Sequence, residues 1–261
     1  MRCNIIKPLT IRETEIGTGI PKIIVPIVGK TQQEILSDAK SIVKIGAELI
    51  EWRADFYEDV RDEQKLKETL HVLRLIIGDI PLIFTIRTDA EGGKIQISGS
   101  DYADLLKFVA SNGGVDIIDV ELFKAGIKVD QLVQDLHALD AYVIMSNHDF
   151  HKTPAKGEII KRLKKMQDLD ADLPKIAVMP NSSADVLTLL SATEEMATKY
   201  ADRPLVTMSM GGLGSISRLS GEIFGSSMTF GSAGKSSAPG QISVSELKQS
   251  LLAIHSSLAK S

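Results

Sequence analysis

Eight short apolar runs, each followed by a longer amphipathic stretch, dominate this chain. They begin near residues 22, 48, 81, 114, 141, 173, 204 and 227, so one follows another every 23 to 33 residues. That spacing holds one strand and one helix each time. Eight such units is the number that closes a (β/α)8 barrel. An open doubly wound sheet is the main competitor, but it commonly uses about five or six strands. The stretch after the first run, VGKTQQ, also lacks the G-x-G-x-x-G that opens a dinucleotide-binding sheet.

The runs themselves are KIIVPIVG (22–29), ELIEWRADF (48–56), PLIFTIR (81–87), GVDIIDVEL (114–122), AYVIMSNHDF (141–150), LPKIAVMP (173–180), PLVTMSM (204–210) and SMTFGSA (227–233). Each is rich in β-branched or aromatic residues and bounded by turn residues or charges. Between them, the periodicity predicts helices over 32–47, 62–77, 101–111, 128–138, 155–168, 183–199 and 244–258, with room only for a short helix in 214–224. Thr31, with Glu34 three residues on, reads as a capping box. Residues 4–16 precede the first unit and are expected to form a hairpin that closes the barrel bottom. No linker interrupts the pattern, so residues 1–261 read as one α/β barrel domain. The Ser/Gly-rich segment 231–241 follows the last strand and suits a lid.

Composition narrows the function classes. With 261 residues and 43% hydrophobic content, the chain can bury a large core without staples. Its one cysteine, Cys3, excludes a disulfide framework and a multi-cysteine zinc site. A net charge of −4 without a basic block argues against nucleic acid as a partner. No apolar run reaches the roughly 20 residues needed to cross a bilayer. The first residues have no apolar core with a cleavage site, so a cytoplasmic location is expected.

Alternate residues of a barrel strand point inward. Taken strand by strand, the polar-bearing face groups Leu49, Glu51, Arg53 and Asp55; Ile83, Thr85 and Arg87; Ile117, Asp119 and Glu121; Tyr142, Ile144, Ser146 and His148; and Lys175, Ala177 and Met179. The polar members gather toward the C-terminal strand ends, where barrel active sites lie. So many ionisable ends imply either a solvated mouth or a paired polar network.

A lysine among apolar strand residues is expected to lose its proton more readily, because desolvation disfavours the ammonium. A neutral amine can attack a ketone. The plainer alternative for Lys175 is a strand-end lysine reaching water or a carboxylate. His148 suits a proton shuttle working near neutral pH or a hydrogen-bonded strand end. Glu91, just past the third run, can orient a histidine or simply be solvated. Arg53, Arg87 and Arg218 are candidate anion clamps or structural ion pairs. A metal at His148, Asp149 and His151 is disfavoured, since the two histidines fall on opposite faces of a strand. GGLGS (211–215) is a weak phosphate-cradle pattern that more often marks a plain turn.

At SNHDFHKTP (146–154) and LPKIAVMP (173–180) the chain resembles the type I 3-dehydroquinate dehydratases. IEWRAD (50–55), FTIRTDAEGG (84–93), ISRLSGEIFGS (216–226), TFG (229–231) and SAPGQI (237–242) carry the same likeness in the same order. The resemblance implies a (β/α)8 barrel, a homodimer, and a shikimate-pathway dehydratase that needs no metal and no cofactor. It puts the Schiff-base lysine on Lys175, the histidine general acid/base on His148 and its orienting carboxylate on Glu91. It puts the substrate-carboxylate arginine on Arg218, further binding groups on Ser237 and Gln241, and the hydroxyl-binding cluster on Glu51, Arg53 and Arg87. The substrate implied is 3-dehydroquinate.

Two departures stand out. The family often has S-K-x-G after M-S-M, where this chain has Gly211-Gly212-Leu213-Gly214, which suggests a looser loop. It often has serine in the first strand, where this chain has Pro26. The competing readings are a class I Schiff-base aldolase using GGLGS for a sugar phosphate, and a non-catalytic metabolite-binding barrel.

Overall fold

The computed structural model describes residues 6–234 and 237–260. Cys3, the first two residues of the expected hairpin segment, and Lys235 and Ser236 of the expected lid lie outside the described residues. The chain opens with an antiparallel hairpin, β1 (Leu9–Ile11) and β2 (Thr14–Ile16). Then follow β3 (Lys22–Ile27), α1 (Gln32–Lys44), β4 (Leu49–Arg53), a 3-10 turn (Ala54–Phe56), α2 (Glu63–Ile77) and β5 (Leu82–Thr85). A second 3-10 turn (Asp89–Glu91) leads to α3 (Gly99–Ser111), β6 (Ile117–Glu121), α4 (Val129–His137), β7 (Tyr142–Asp149) and α5 (Lys156–Asp168). The last part is β8 (Leu173–Val178), α6 (Ser183–Lys199), β9 (Val206–Ser209), α7 (Ser215–Leu219), α8 (Gly221–Phe224), β10 (Met228–Ser232), β11 (Ile242–Ser243) and α9 (Val244–Leu258).

Strands β3 to β9 pair in chain order, all parallel, and β10 pairs with β3. The ring closes between β9 and β10 without a full ladder. Leu205 bridges Ser226, and Ser227 N–H donates to the Leu205 carbonyl at 2.8 Å. The Ser226 hydroxyl accepts from Thr207 N–H at 3.0 Å, filling in for a backbone bond. The result is the expected (β/α)8 barrel, with β11 a short addition beyond the end of β10.

The two parities separate into two cores. Ile176 and Val178 pack outward with helix residues such as Ile159, Leu163 and Leu189. Ile24, Leu49, Ile83, Ile117, Ile144, Leu173, Val206 and Met228 fill the inside near the strand starts. Ile11 and Ile16 of the hairpin belong to this inner cluster and are almost wholly buried, so the hairpin plugs the barrel bottom as expected. Each such isoleucine contributes roughly 1.5–3 kcal/mol through burial.

Local signals differ in detail. Thr31 caps α1 by accepting from Glu34 N–H at 3.3 Å, but Glu34 returns its carboxylate to Lys30 N–H at 2.8 Å rather than to Thr31. The box is therefore opened by one residue. The 214–224 stretch holds two short helices, α7 and α8, which meet at Ser220. Pro26, which lacks an N–H, lies beyond Ile24, where the pairing of β3 with β10 ends. No helix among the described residues is long and apolar enough to cross a membrane.

Candidate active site

Above the apolar plug the inner residues turn polar. Lys175 projects inward from the middle of β8 and is buried. It is not isolated among apolar groups. Its Nζ lies 3.2 Å from Asp119 Oδ2 and 3.7 Å from Glu51 Oε1, with the Phe230 ring centroid 4.9 Å away. Glu51 also accepts from Thr85 Oγ1 at 3.0 Å. The lysine is thus held by carboxylates on β4 and β6: the register aligns Glu51 with Ile83 and Ile117, and the stagger of tilted barrel strands brings Asp119, two residues on, level with Glu51.

Arg87 lies two residues past the end of β5 and organises the same layer. Its Nη2 donates to Asp119 at 2.7 Å; its Nη1 donates to Glu121 at 3.1 Å and to Ser146 at 2.9 Å. Burial disfavours its charge, but Asp119 and Glu121 outweigh this and hold the guanidinium firmly protonated. Asp119 is likewise held below the usual carboxylate range: burial opposes ionisation, but Arg87 and Lys175 prevail. Of the two alternatives for the strand ends, the paired network is the one realised.

His148 and Glu91 meet as expected. The Glu91 Oε2 accepts from the His148 backbone N–H at 3.0 Å and faces Nδ1 at 2.9 Å. With the proton on Nδ1, Nε2 is left free as a base. Burial, then the charges of Arg87, Lys175 and Arg53, push the His148 pKa well below its ordinary value. A histidine poised at neutral pH is therefore not what the fold supplies; it supplies one kept uncharged. Glu91 moves the other way, pushed up to about 7, chiefly by burial and against the pull of Arg87. Below the Glu91 transition the carboxyl gains a proton and becomes a poorer acceptor for the Nδ1–H. We therefore expect kcat/KM to rise with pH through about neutral to a plateau, measurable as a pH–rate profile of the free enzyme.

Arg53 is gripped by Asp55 in a two-point pair at 2.7 and 2.9 Å, and its Nη1 reaches the Ser237 carbonyl at 3.4 Å. Arg218 on α7 is 1% exposed, yet no carboxylate among the described residues lies within ion-pair distance. Its Nη2 donates to the Pro239 carbonyl at 3.2 Å, its Nε has no partner, and burial alone lowers its pKa to about 10. Ser237 and Gln241 bond to each other, Gln241 Nε2 donating to Ser237 Oγ at 3.1 Å. The 237–241 segment thus roofs the site. Gly240 has φ +73°, and a Cβ there would stand 2.4 Å from the Gly211 carbonyl oxygen. Gly240→Ala should lift this roof, raising KM severalfold with little loss of melting temperature; steady-state kinetics beside a thermal melt would check it.

All nine residues predicted from sequence line one cavity: Glu51, Arg53, Arg87, Glu91, His148, Lys175, Arg218, Ser237 and Gln241. Phe230, Met208, Met210, Phe150, Phe56 and Lys94 are among its other walls. The Phe150 ring lies roughly parallel to the His148 ring, with centroids 6.4 Å apart. Strand parity places Asp119 on the inner face without assigning it a role; the structure makes it the partner of Lys175 and Arg87. In the GGLGS turn three of the five N–H groups are used within the protein, which weakens it as an anion cradle: Gly211 N–H goes to Pro239 O, Gly214 N–H to Gly211 O and Ser215 N–H to Gly212 O. Gly214 also packs against Ser209, where a Cβ would stand 2.1 Å from its carbonyl oxygen. These contacts join the loop to the 237–241 segment and to the end of β9.

A (β/α)8 barrel whose mouth gathers a buried amine, a histidine–carboxylate pair and an arginine without a carboxylate partner among the described residues has the make-up of a barrel enzyme. The sequence profile of the type I 3-dehydroquinases matches residues 23–257. The 3-dehydroquinate dehydratase of Clostridioides difficile is 51% identical over 97% of this chain and 99% of its own length. That of Bacillus licheniformis is 52% identical over the same shares. The crystal structure of a Clostridium difficile type I 3-dehydroquinate dehydratase with covalently modified comenic acid superposes with a TM-score of 0.94, at 51% identity, covering 97% of this chain and 100% of that one. The chain belongs to the type I 3-dehydroquinase family, and it is a hydro-lyase.

Proposed function

We propose that the chain converts 3-dehydroquinate to 3-dehydroshikimate and water through a Schiff base on Lys175. The amine attacks the C3 ketone, and loss of water gives an iminium. The iminium acidifies the adjacent C2–H. His148 takes that proton through Nε2, leaving an enamine. The enamine expels the C1 hydroxyl, to which His148 returns a proton as it leaves. A histidine held uncharged by burial is a ready base, and once protonated it is a strong acid. Hydrolysis of the imine releases product and restores the amine. Arg218 holds the C1 carboxylate; Ser237, Gln241, Glu51 and Arg53 contact the rest of the ring, and Arg87 chiefly frames the site.

The observation that carries this reading is Arg218: a buried cation with no anionic partner among the described residues, in the same cavity as a buried amine. Such a group costs stability unless a ligand carboxylate completes it. That the Clostridium difficile relative was solved with covalently modified comenic acid supports covalent chemistry in a protein of this kind. Borohydride reduction during turnover tests the reading. Irreversible inactivation with a ligand-sized mass on Lys175 is expected; turnover without any adduct would make Lys175 structural.

The chain works as one barrel domain in the cytoplasm on this reading, within the shikimate pathway. Its partner is a second copy of itself. Leu187 on α6, Leu213 and Ile216 at α7, Ile223 on α8 and Leu252 on α9 are large, apolar and exposed, and α6 lies against α8 as α7 does against α9, which supports a second copy on this side. Sedimentation equilibrium giving a monomer at micromolar concentration would sink the dimer.

A further inference from the structure

Asn147 lies between Ser146 and His148 on β7, so its side chain leaves the strand on the opposite face to theirs. It does not line the cavity, yet it is buried. Its two amide ends meet groups that cannot exchange roles. Nδ2 donates to Glu91 Oε1 at 3.0 Å, and Oδ1 accepts from Arg162 Nη1 at 2.9 Å. A carboxylate only accepts and a guanidinium only donates. Turning the amide over would set oxygen against oxygen and N–H against N–H. Arg162 therefore dictates which end faces Glu91. Arg162 is itself steadied on α5 by Glu158, 2.8 Å from its Nε, and by the Phe123 ring, 5.5 Å from its guanidinium carbon. The other oxygen of Glu91 serves His148. A continuous polar line thus runs from the outer helix layer to the imidazole.

Resting on the catalytic reading above, we propose that Asn147 is a positioning residue for the dehydration and Arg162 its anchor. Together they keep Glu91 an oriented acceptor, so that His148 carries its proton on Nδ1 and presents Nε2 to the substrate. The charges around Glu91 make this bond matter. Arg87, beyond β5, approaches at 3.7 Å and favours the carboxylate, while Asp119 and Glu121 on β6 repel it and burial adds to that repulsion. The Asn147 donor stands with Arg87 against the rest. Without it the carboxyl would hold its proton to higher pH, and a protonated carboxyl has less to offer the Nδ1–H.

Asn147→Leu keeps the approximate volume and removes the donor; Arg162→Met leaves Asn147 in place but frees its orientation. For Asn147→Leu, the acid limb of the kcat/KM profile should move to higher pH, with roughly a tenfold loss at neutral pH, a fraction of what a general base contributes. Arg162→Met should shift the limb the same way by less. In ¹⁵N spectra, the Nδ1-bound proton of His148 should weaken in both variants. Unchanged limbs and an unchanged His148 tautomer in both variants would overturn the proposal. If Asn147→Leu fails to fold, Arg162→Met alone decides. Borohydride labelling of Lys175 is run alongside: its failure in the parent enzyme would overturn the Schiff-base reading, whereas labelling with unmoved limbs would overturn only the role of Asn147.

Discussion

Lys175→Met should lose turnover by on the order of 10⁴- to 10⁶-fold, the scale seen when a nucleophile is removed. The loss should fall on kcat, with substrate affinity largely kept, because the carboxylate-binding arginine is untouched. The variant should take up no label on borohydride reduction. Its structural effect can be separated. Asp119 keeps Arg87 at 2.7 Å and Ser146 at 2.6 Å, so it stays satisfied. Glu51 keeps only Thr85, which leaves a buried carboxylate without a cation and costs about 1–3 kcal/mol. Lys175→Arg retains a cation for Glu51 and Asp119 but forms no Schiff base under turnover conditions. If Lys175→Arg is as inactive as Lys175→Met while melting closer to the parent, chemistry and packing are resolved. Retention of a hundredth or more of parent activity in either variant would refute covalent catalysis by this residue.

Much of this site could be read before any coordinates, for a specific physical reason. A barrel strand alternates strictly between an outer face packed under helices and an inner face. Lys175, Glu51 and His148 therefore fall on the inner face as soon as their strands are recognised, and every predicted site residue reaches the one cavity. Arg218 and Gln241 lie outside the strands, and periodicity alone could not have brought them there; the likeness of SRL and SAPGQ to known relatives did. What strand parity could not supply was pairing. Whether Lys175 stands alone or against Asp119 depends on the relative stagger of β6 and β8, which are not neighbours in the sheet. The same holds for the histidine. Its expected near-neutral titration ignored three cations contributed by separate strands and turns, Arg53, Arg87 and Lys175. The Asn147 contact was hidden for the opposite reason: an outward strand position reads as packing, and only the fold brings Glu91 over it.

Arg218→Met should separate function from stability in the opposite sense to Lys175→Met. The guanidinium is buried, its Nε has no partner, and desolvation alone lowers its pKa to about 10. That shift corresponds to roughly 3 kcal/mol of unfavourable burial for the charged form. The sign is clear: a base whose folded pKa is depressed destabilises the folded state at every pH below that pKa, so the cost is fully present at neutral pH. Methionine fills similar space without a charge. Arg218→Met should therefore melt at or above the parent temperature, by up to several degrees. Function should suffer heavily. A fully desolvated arginine–carboxylate contact is worth about 2–5 kcal/mol to its ligand, which is about 30- to several-thousand-fold in kcat/KM. KM should rise, and kcat should fall as well, because a ring no longer anchored at C1 no longer holds its leaving hydroxyl over His148. Arg218→Lys should recover little, since a single ammonium cannot reproduce the two-point fork. Thermal melts and kinetics on the same preparations decide it. A variant that is both markedly less stable and fully active would mean that the guanidinium serves the fold, and that the substrate carboxylate is held elsewhere.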